Sequence, residues 1–318
     1  MAIKTFLPIV EKESDYKDIQ EEIILVLKEA IYAPLVSILK KPVKFKNASD
    51  NLAMAIMSGQ VVFNRGSFTG TFNSKISAEL RSIGAKWDNA KKCYKLSSSD
   101  LPLDVRLSVS LAKAKADETL NKLDQLLLKL DPKAIAERVN VAPLIDKTMY
   151  RYEKDFKKTV ESISVKANLT AEQMAEFNKT YTDNLRLYIA DFVEKETAEL
   201  RKNMKKRALS GFRSESAIQE IQKSYGVSYN KAKFLARQET SLALSAFRET
   251  RYKSVGLNKY KWKCVAGSPL HPVRSMHKIH DGKIFSWDKP PVVNDKGDRK
   301  NPGEDYNCRC VAIPIVEF

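Results

Sequence analysis

All three histidines of this chain, His271, His277 and His280, and three of its four cysteines, Cys264, Cys308 and Cys310, fall between Cys264 and Cys310. Ligand-type side chains gathered in one loop-rich segment have few physical uses: they pack as apolar filler, pair as disulfides or share an ion. Read as a strand, Cys308 to Ile313 puts both cysteines on one face, roughly 6.6 to 7 Å apart at Cα. That is marginal for a disulfide, whose Cα atoms usually sit about 4.4 to 6.8 Å apart. Two thiolates converging on one ion is the easier geometry. A structural zinc takes four ligands, and Cys3His is an accepted set. Cys264, Cys308 and Cys310 with one histidine would fill it, although C-x-C lacks the usual C-x2-C bite. Zinc is the expected cofactor, with packed free thiols and a disulfide as the other two readings.

The same residues carry a resemblance. Arg274-Ser275-Met276-His277, then His280-Asp281-Gly282-Lys283-Ile284-Phe285, a turn at Pro290-Pro291, and Asn307-Cys308-Arg309-Cys310 follow one another in this order. Upstream stands Ala236-Arg237-Gln238-Glu239-Thr240. Together they resemble the C-terminal part of phage Mu F-like minor head (head morphogenesis) proteins, over about residues 210 to 318. The chain departs from that pattern at Gln238 and at Cys264, where an acidic residue is common in the family, so the fourth ligand is the least supported of the set. The resemblance favours His277 as the ligand, with His280 and then His271 as alternates. It implies a non-enzymatic virion component that associates with the portal or other capsid proteins, in several copies. Its expected place is the head interior or portal region, after assembly in the host cytoplasm, with a role in head assembly, DNA packaging or ejection.

Composition agrees with a folded, charged protein. At 318 residues the chain can hold two or three domains with real cores. No run approaches the roughly 20 apolar residues of a membrane helix. Met1 to Val10 lacks the basic start and cleavage site of a secretory signal, so a reducing compartment is expected. Net charge is +16 at pH 7. A surplus of this size favours polyanions through counterion release, and packaged DNA is the expected partner, by non-specific electrostatics.

Texture divides the chain into four. Residues 1–42 read as an N-terminal helical segment, its stripe of Ile23, Ile24, Leu27, Ile31 and Leu35 broken near Pro34. Residues 43–101 alternate short β-type runs with glycine turns around a helix over Ser74 to Ile83, a small α+β module in which Trp87 and Tyr94 are core and turn residues. Residues 102–256 carry repeated apolar stripes, such as Leu120, Leu123 and Leu127, and form a helical bundle or arm. Residues 257–318 form the Mu F-like domain with the Cys/His cluster, opening with an edge strand at Asn258 to Lys263 and a hairpin turning at Asp281-Gly282. The fold class is therefore α+β, predominantly α: an elongated helical region, the α+β module near the N-terminus, and a small β-rich C-terminal domain for which zinc is one means of stabilisation.

Two other functions compete. Ser216 to Ala236 has helix-turn-helix spacing, with Gly226 ending one helix and Ser228 capping the next, so residues 216–236 would suit a nucleic-acid-binding regulator. Candidate contacts to nucleic acid are Lys202, Lys205, Lys206, Arg207, Lys231 and Lys233. A metal-dependent nuclease would want a further histidine after His280, and none follows. P-loop, G-x-S-x-G and H-E-x-x-H motifs are absent from the sequence. No catalytic residue is assigned.

Overall fold

Residues 3–40, 51–161, 169–210, 214–265 and 272–317 are described by a computed structural model of the protein. Helix accounts for 62% of the described residues, and their strands form two small antiparallel sheets. The predominantly α reading holds.

The chain divides into two units. The first comprises Met1–Leu25, Ala136–Ala190 and Tyr229–Phe318. It holds a sheet of strands β1 (Ile3–Thr5), β6 (Lys259–Lys263), β7 (Ile284–Ser286) and β8 (Val311–Glu317) in the order β1-β8-β6-β7. Strict alternation in Lys-Tyr-Lys-Trp-Lys makes β6 a half-buried strand: its lysines are exposed, and Tyr260 and Trp262 are fully buried. Helix α7 (Ala142–Glu161) buries Ile145, Met149, Tyr152, Phe156 and Val160, spaced three and four apart. Helix α8 (Ala171–Ser210) contributes Tyr181, Leu185 and Ile189 to this core, and α9 (Ser214–Ser254) contributes Leu244, Phe247 and Tyr252. An aromatic series then runs from helix to sheet. Phe156 lies 5.6 Å from Tyr252, Tyr252 stacks at 6.1 Å on Trp287, and Trp287 lies 4.5 Å from Tyr260. Rings tilted or offset at such distances add about 0.5 to 1.5 kcal/mol per pair beyond the area they bury.

The second unit comprises Val26–Ile135 and Asp191–Ser228. Its sheet joins β2 (Val61–Asn64), β3 (Ser67–Gly70), β4 (Lys86–Asp88) and β5 (Cys93–Lys95) in the order β2-β3-β5-β4. Helices α3 (Asn51–Met57), α4 (Ser74–Ser82) and the start of α5 (Leu103–Leu128) share its core of Leu52, Ile56, Val61, Phe68, Ile76, Leu80, Tyr94 and Val105. Gly70 is obligatory: with φ at 145°, a Cβ here would stand 2.1 Å from the Gln60 carbonyl oxygen. Tyr94 is buried, as expected. Trp87 is 44% exposed at the sheet edge, where it meets Phe72 and Tyr94 edge-on instead of entering the core.

Two expectations about helices are corrected. The break near Pro34 does not occur: α1 (Ser14–Leu27) passes through a π turn at Lys28–Tyr32 into α2 (Ala33–Lys40). The Ala33 N–H bonds to the Lys28 carbonyl, and the widened turn absorbs the missing N–H and the ring of Pro34. The helix-turn-helix over 216–236 is not formed either, because α9 continues through Gly226. A glycine inside a helix costs only about 1 kcal/mol. Burial of Ala217 and Ile221 on one side, and of Ala232 and Ala236 on the other, outweighs it.

Buried charge in the first unit includes one close ion pair. Arg251, 1% exposed, meets Glu153 through two hydrogen bonds of 2.9 and 2.6 Å and lies 4.2 Å from the Phe156 ring centre. Removing the guanidinium would strand the Glu153 carboxylate in an apolar setting. Arg251→Ala is therefore expected to lower unfolding free energy by about 3 to 5 kcal/mol in urea titration, more than simple truncation of a solvated arginine.

Candidate metal centre

The last turn before β8 builds the site. Residues 301–307 form a loop whose polar groups are held mainly by one face of α9. Ser241 Oγ donates to the Gly303 carbonyl at 3.1 Å, and Ser245 Oγ to the Pro302 carbonyl at 3.3 Å. Arg237 donates to Asn307 Oδ1, and the Asn307 N–H donates to Gln238 Oε1 at 2.6 Å. Positions 237, 241 and 245 repeat every four residues, so they stand in line on the helix. The two motifs named from the sequence, one on α9 and one at Asn307-Cys308-Arg309-Cys310, are thus hydrogen-bonded to each other. Gly303 adopts φ of 98° beneath Ser241, a conformation glycine takes without steric cost. Asn307 is left-handed too, with φ of 54°, and among non-glycine residues asparagine tolerates this region best.

That left-handed residue decides where the sulfurs go. Cys308 and Cys310 are not in a strand, contrary to expectation; β8 starts at Val311. The turn still brings both sulfurs onto His277, presented by the short helix α10 (Ser275–Lys278). Nδ1 of His277 lies 3.6 Å from Cys308 Sγ and 3.6 Å from Cys310 Sγ. The three ligand atoms lie within 4.8 Å of one another, and all three residues are buried. Cys264, directly after β6, has its sulfur 3.9 Å from Cys310 Sγ and directs its thiol to the His277 carbonyl at 3.2 Å. It stands at the margin of the group. His280 is not part of it: its Nε2 lies 2.7 Å from the Val292 carbonyl oxygen. His271 lies outside the described residues.

The distances suit a tetrahedral ion. Ligands about 2.3 Å (sulfur) and 2.0 Å (nitrogen) from a common centre stand about 3.8 Å (S···S) and 3.5 Å (S···N) apart. The two His277–sulfur distances of 3.6 Å and the Cys264–Cys310 distance of 3.9 Å agree, while Cys264 stands farther from the rest of the group than the three inner ligands do from one another. Two buried nitrogens here, Trp262 Nε1 and His277 Nε2, have no hydrogen-bond partner, although Asp305 Oδ2 stands 3.3 Å from the latter. Asp305 thus faces the outer ring nitrogen, the side from which a carboxylate supports a ligating imidazole. Arg274 and Lys300 both pair with Asp305, and they hold its carboxyl below the ordinary carboxylate range against burial. One sulfur, that of Cys308, is also primed, whereas burial raises Cys264. The hydrogen bond with Cys310, seconded by His277, holds Cys308 well below the ordinary thiol range. Cys310 is raised because it shares its proton with Cys308. His277 is raised by its bond to Cys308.

Asp305 and Trp262 were not singled out in the sequence. Asp305 lies three residues before Cys308, yet nothing in an acidic loop residue announces that it will face an imidazole from another segment. Trp262 packs edge-on against His277 at 5.6 Å and reads in sequence only as the inward residue of an alternating strand.

Of the candidate nucleic-acid contacts, Lys202, Lys231 and Lys233 are exposed, and Lys233 Nζ stands 3.5 Å from Glu13 Oε1. The side chains of Lys205, Lys206 and Arg207 lie outside those described. No helix among the described residues is long and apolar enough to cross a membrane.

Comparison with known proteins bears on this end of the chain. Residues 195–313 match the family model of phage Mu protein F like protein. The match contains α9, α10, the cluster and the first three residues of β8, so every residue of the latch between α9 and the 301–307 loop falls within the matched range. An uncharacterised protein of Haemophilus influenzae is 38% identical over 87 residues, which are 27% of this chain and 18% of that relative. The chain thus covers under a fifth of the relative's length. No solved structure matches the chain.

The latch predicts an order of damage. Asn307→Gly keeps the left-handed turn and loses the bond from Arg237, a cost of about 1 kcal/mol. Asn307→Val adds backbone strain of about 1 to 3 kcal/mol. Thermal melts should rank wild type above Asn307→Gly and Asn307→Gly above Asn307→Val.

Proposed function

We propose that this chain is a structural head morphogenesis protein of a tailed phage, with a zinc-stapled Mu F-like domain as its attachment point. The observation that carries the reading is that the family match spans the residues the fold uses to tie α9, α10 and the Cys308–Cys310 turn together. His277, Cys308 and Cys310 would hold the ion, with Cys264 as fourth ligand. Bound zinc would supply cross-linking to a small sheet with a thin core. Burial of the three inner ligands favours a closed structural site, since a catalytic zinc keeps a coordination position open to substrate. In this reading the protein sits at the portal or the inner capsid wall in several copies. Its charge of +16 lets it lie beside packaged DNA through contacts that salt weakens.

Metal analysis tests the staple. Purified full-length protein should carry about one zinc per chain, and a strong chelator should lower its melting temperature. Cys308→Ser with Cys310→Ser should lose the metal and the chelator response together; equal zinc in both proteins would remove the ligand assignment. Duplex DNA binding should fall steeply between about 50 and 200 mM salt with little sequence preference. Selective binding that survives high salt would favour a regulator instead.

A further inference from the structure

Glu239, the acidic residue of the α9 motif, takes no part in the latch formed by its neighbours Arg237 and Gln238. It lines a cavity of about 570 Å³ between the α8 and α9 segments of the first unit. The residue is 5% exposed, and no hydrogen bond or ion pair reaches it from the described residues. Burial alone lifts its carboxyl from 4.5 to about 7. Around it the deep walls are apolar: Phe177 on α8, and Leu242, Ala243 and Phe247 on α9. Glu176, exposed on α8, stands at the rim, and Tyr181 beside the acid gives its hydroxyl to Thr240. Arg251, the one cation among the lining residues, is engaged by Glu153 of α7.

A buried carboxylate without a partner costs several kcal/mol while ionised, and in a chain carrying +16 this cavity has two acids. An inorganic divalent ion would want several oxygens, and only one carboxylate lies deep in the cavity. A neutral apolar molecule would leave Glu239 unpaired. We propose that the cavity binds an alkylammonium group, a protonated primary amine on an apolar stem. Its nitrogen pairs with Glu239, and its methylenes lie against Phe177, Leu242 and Phe247. The group arrives either as a free amine or as a lysine side chain of a partner protein.

The test is calorimetric titration of the full chain at pH 8 with n-butylammonium and with Nα-acetyl-lysine amide. n-Butanol and Nα-acetyl-norleucine amide serve as the neutral counterparts. Saturable binding of at least one amine is expected, with its neutral counterpart about tenfold weaker or worse. Glu239→Gln should lose about tenfold in affinity. That variant should fold. A carboxyl raised in the folded state contributes stability fully present below its unfolded value and lost as pH rises through about 7, so above that pH glutamine is no worse than glutamate. Ala246→Trp, at an exposed wall position, should abolish binding by filling the space while Glu239 remains. Binding of butylammonium alone points to a free amine, and tighter binding of the lysine amide to a protein partner. No saturable binding of either amine, or equal affinity in Glu239→Gln, overturns the proposal.

Discussion

The hydrogen bonds between α9 and the 301–307 loop are the constraint on which the C-terminal structure depends. A loop that passes beneath a helix carries backbone N–H and C=O groups away from water, and each must find a partner or cost about 1 to 3 kcal/mol. Gln238, Ser241 and Ser245 supply three of those partners from one helix face, and Arg237 adds a bond to the Asn307 side chain. Tyr260, from the sheet, holds the Asn301 side chain by donating to its Oδ1 at 2.9 Å. The chain is then committed to a left-handed turn at Asn307, and that turn aims two sulfurs at one imidazole. Positioning by a helix is more exact than positioning by a free loop, which suits a site that must hold a small ion.

Around the cluster, polar groups are arranged in succession. Arg274 and Lys300 pair with Asp305, Asp305 faces His277, and His277 faces both sulfurs. Each member neutralises or orients the next, so acidic, cationic and thiol groups are brought close without an isolated charge. The same economy holds at Arg251 and Glu153. In the second unit Tyr32 meets Ser228 at 2.6 Å and Ser228 donates to Glu196. Burial against this network pushes Tyr32 up to about 12, and the π turn that ends at Tyr32 delivers it there. Glu239 stands apart from this pattern, and its lack of a partner is what marks the cavity beside it.

Much of the local structure was legible in residue patterns. Alternation in Lys259 to Lys263 specified a strand with Tyr260 and Trp262 inward, although it lies between β8 and β7 and not at the edge expected; Gly282 turned with φ of 78° where Asp281-Gly282 was read as a turn, and α4 stops before Gly84, whose φ is 87°. These features depend on side-chain period or on the steric freedom of single residues, which act over a few positions. Patterns misled where distant packing outweighed a local signal. Gly226 and Ser228 look like a helix stop and start, but buried alanines and isoleucine on either side carry α9 through. Pro34 looks like a break, but a π turn takes up its geometry.

From its sequence alone the protein was bound to gather sulfur and imidazole near one end, to carry a large positive charge, and to be mostly helical, because these follow from which residues are present and how they repeat. Which histidine meets the sulfurs, that Asp305 stands behind it, and that Glu239 is left alone beside a cavity were decided only by the tertiary structure. Those relations join residues tens of positions apart, through a turn at Asn307 whose conformation is set by partners on another helix. Distance along a chain carries no information about such encounters until packing brings the segments together.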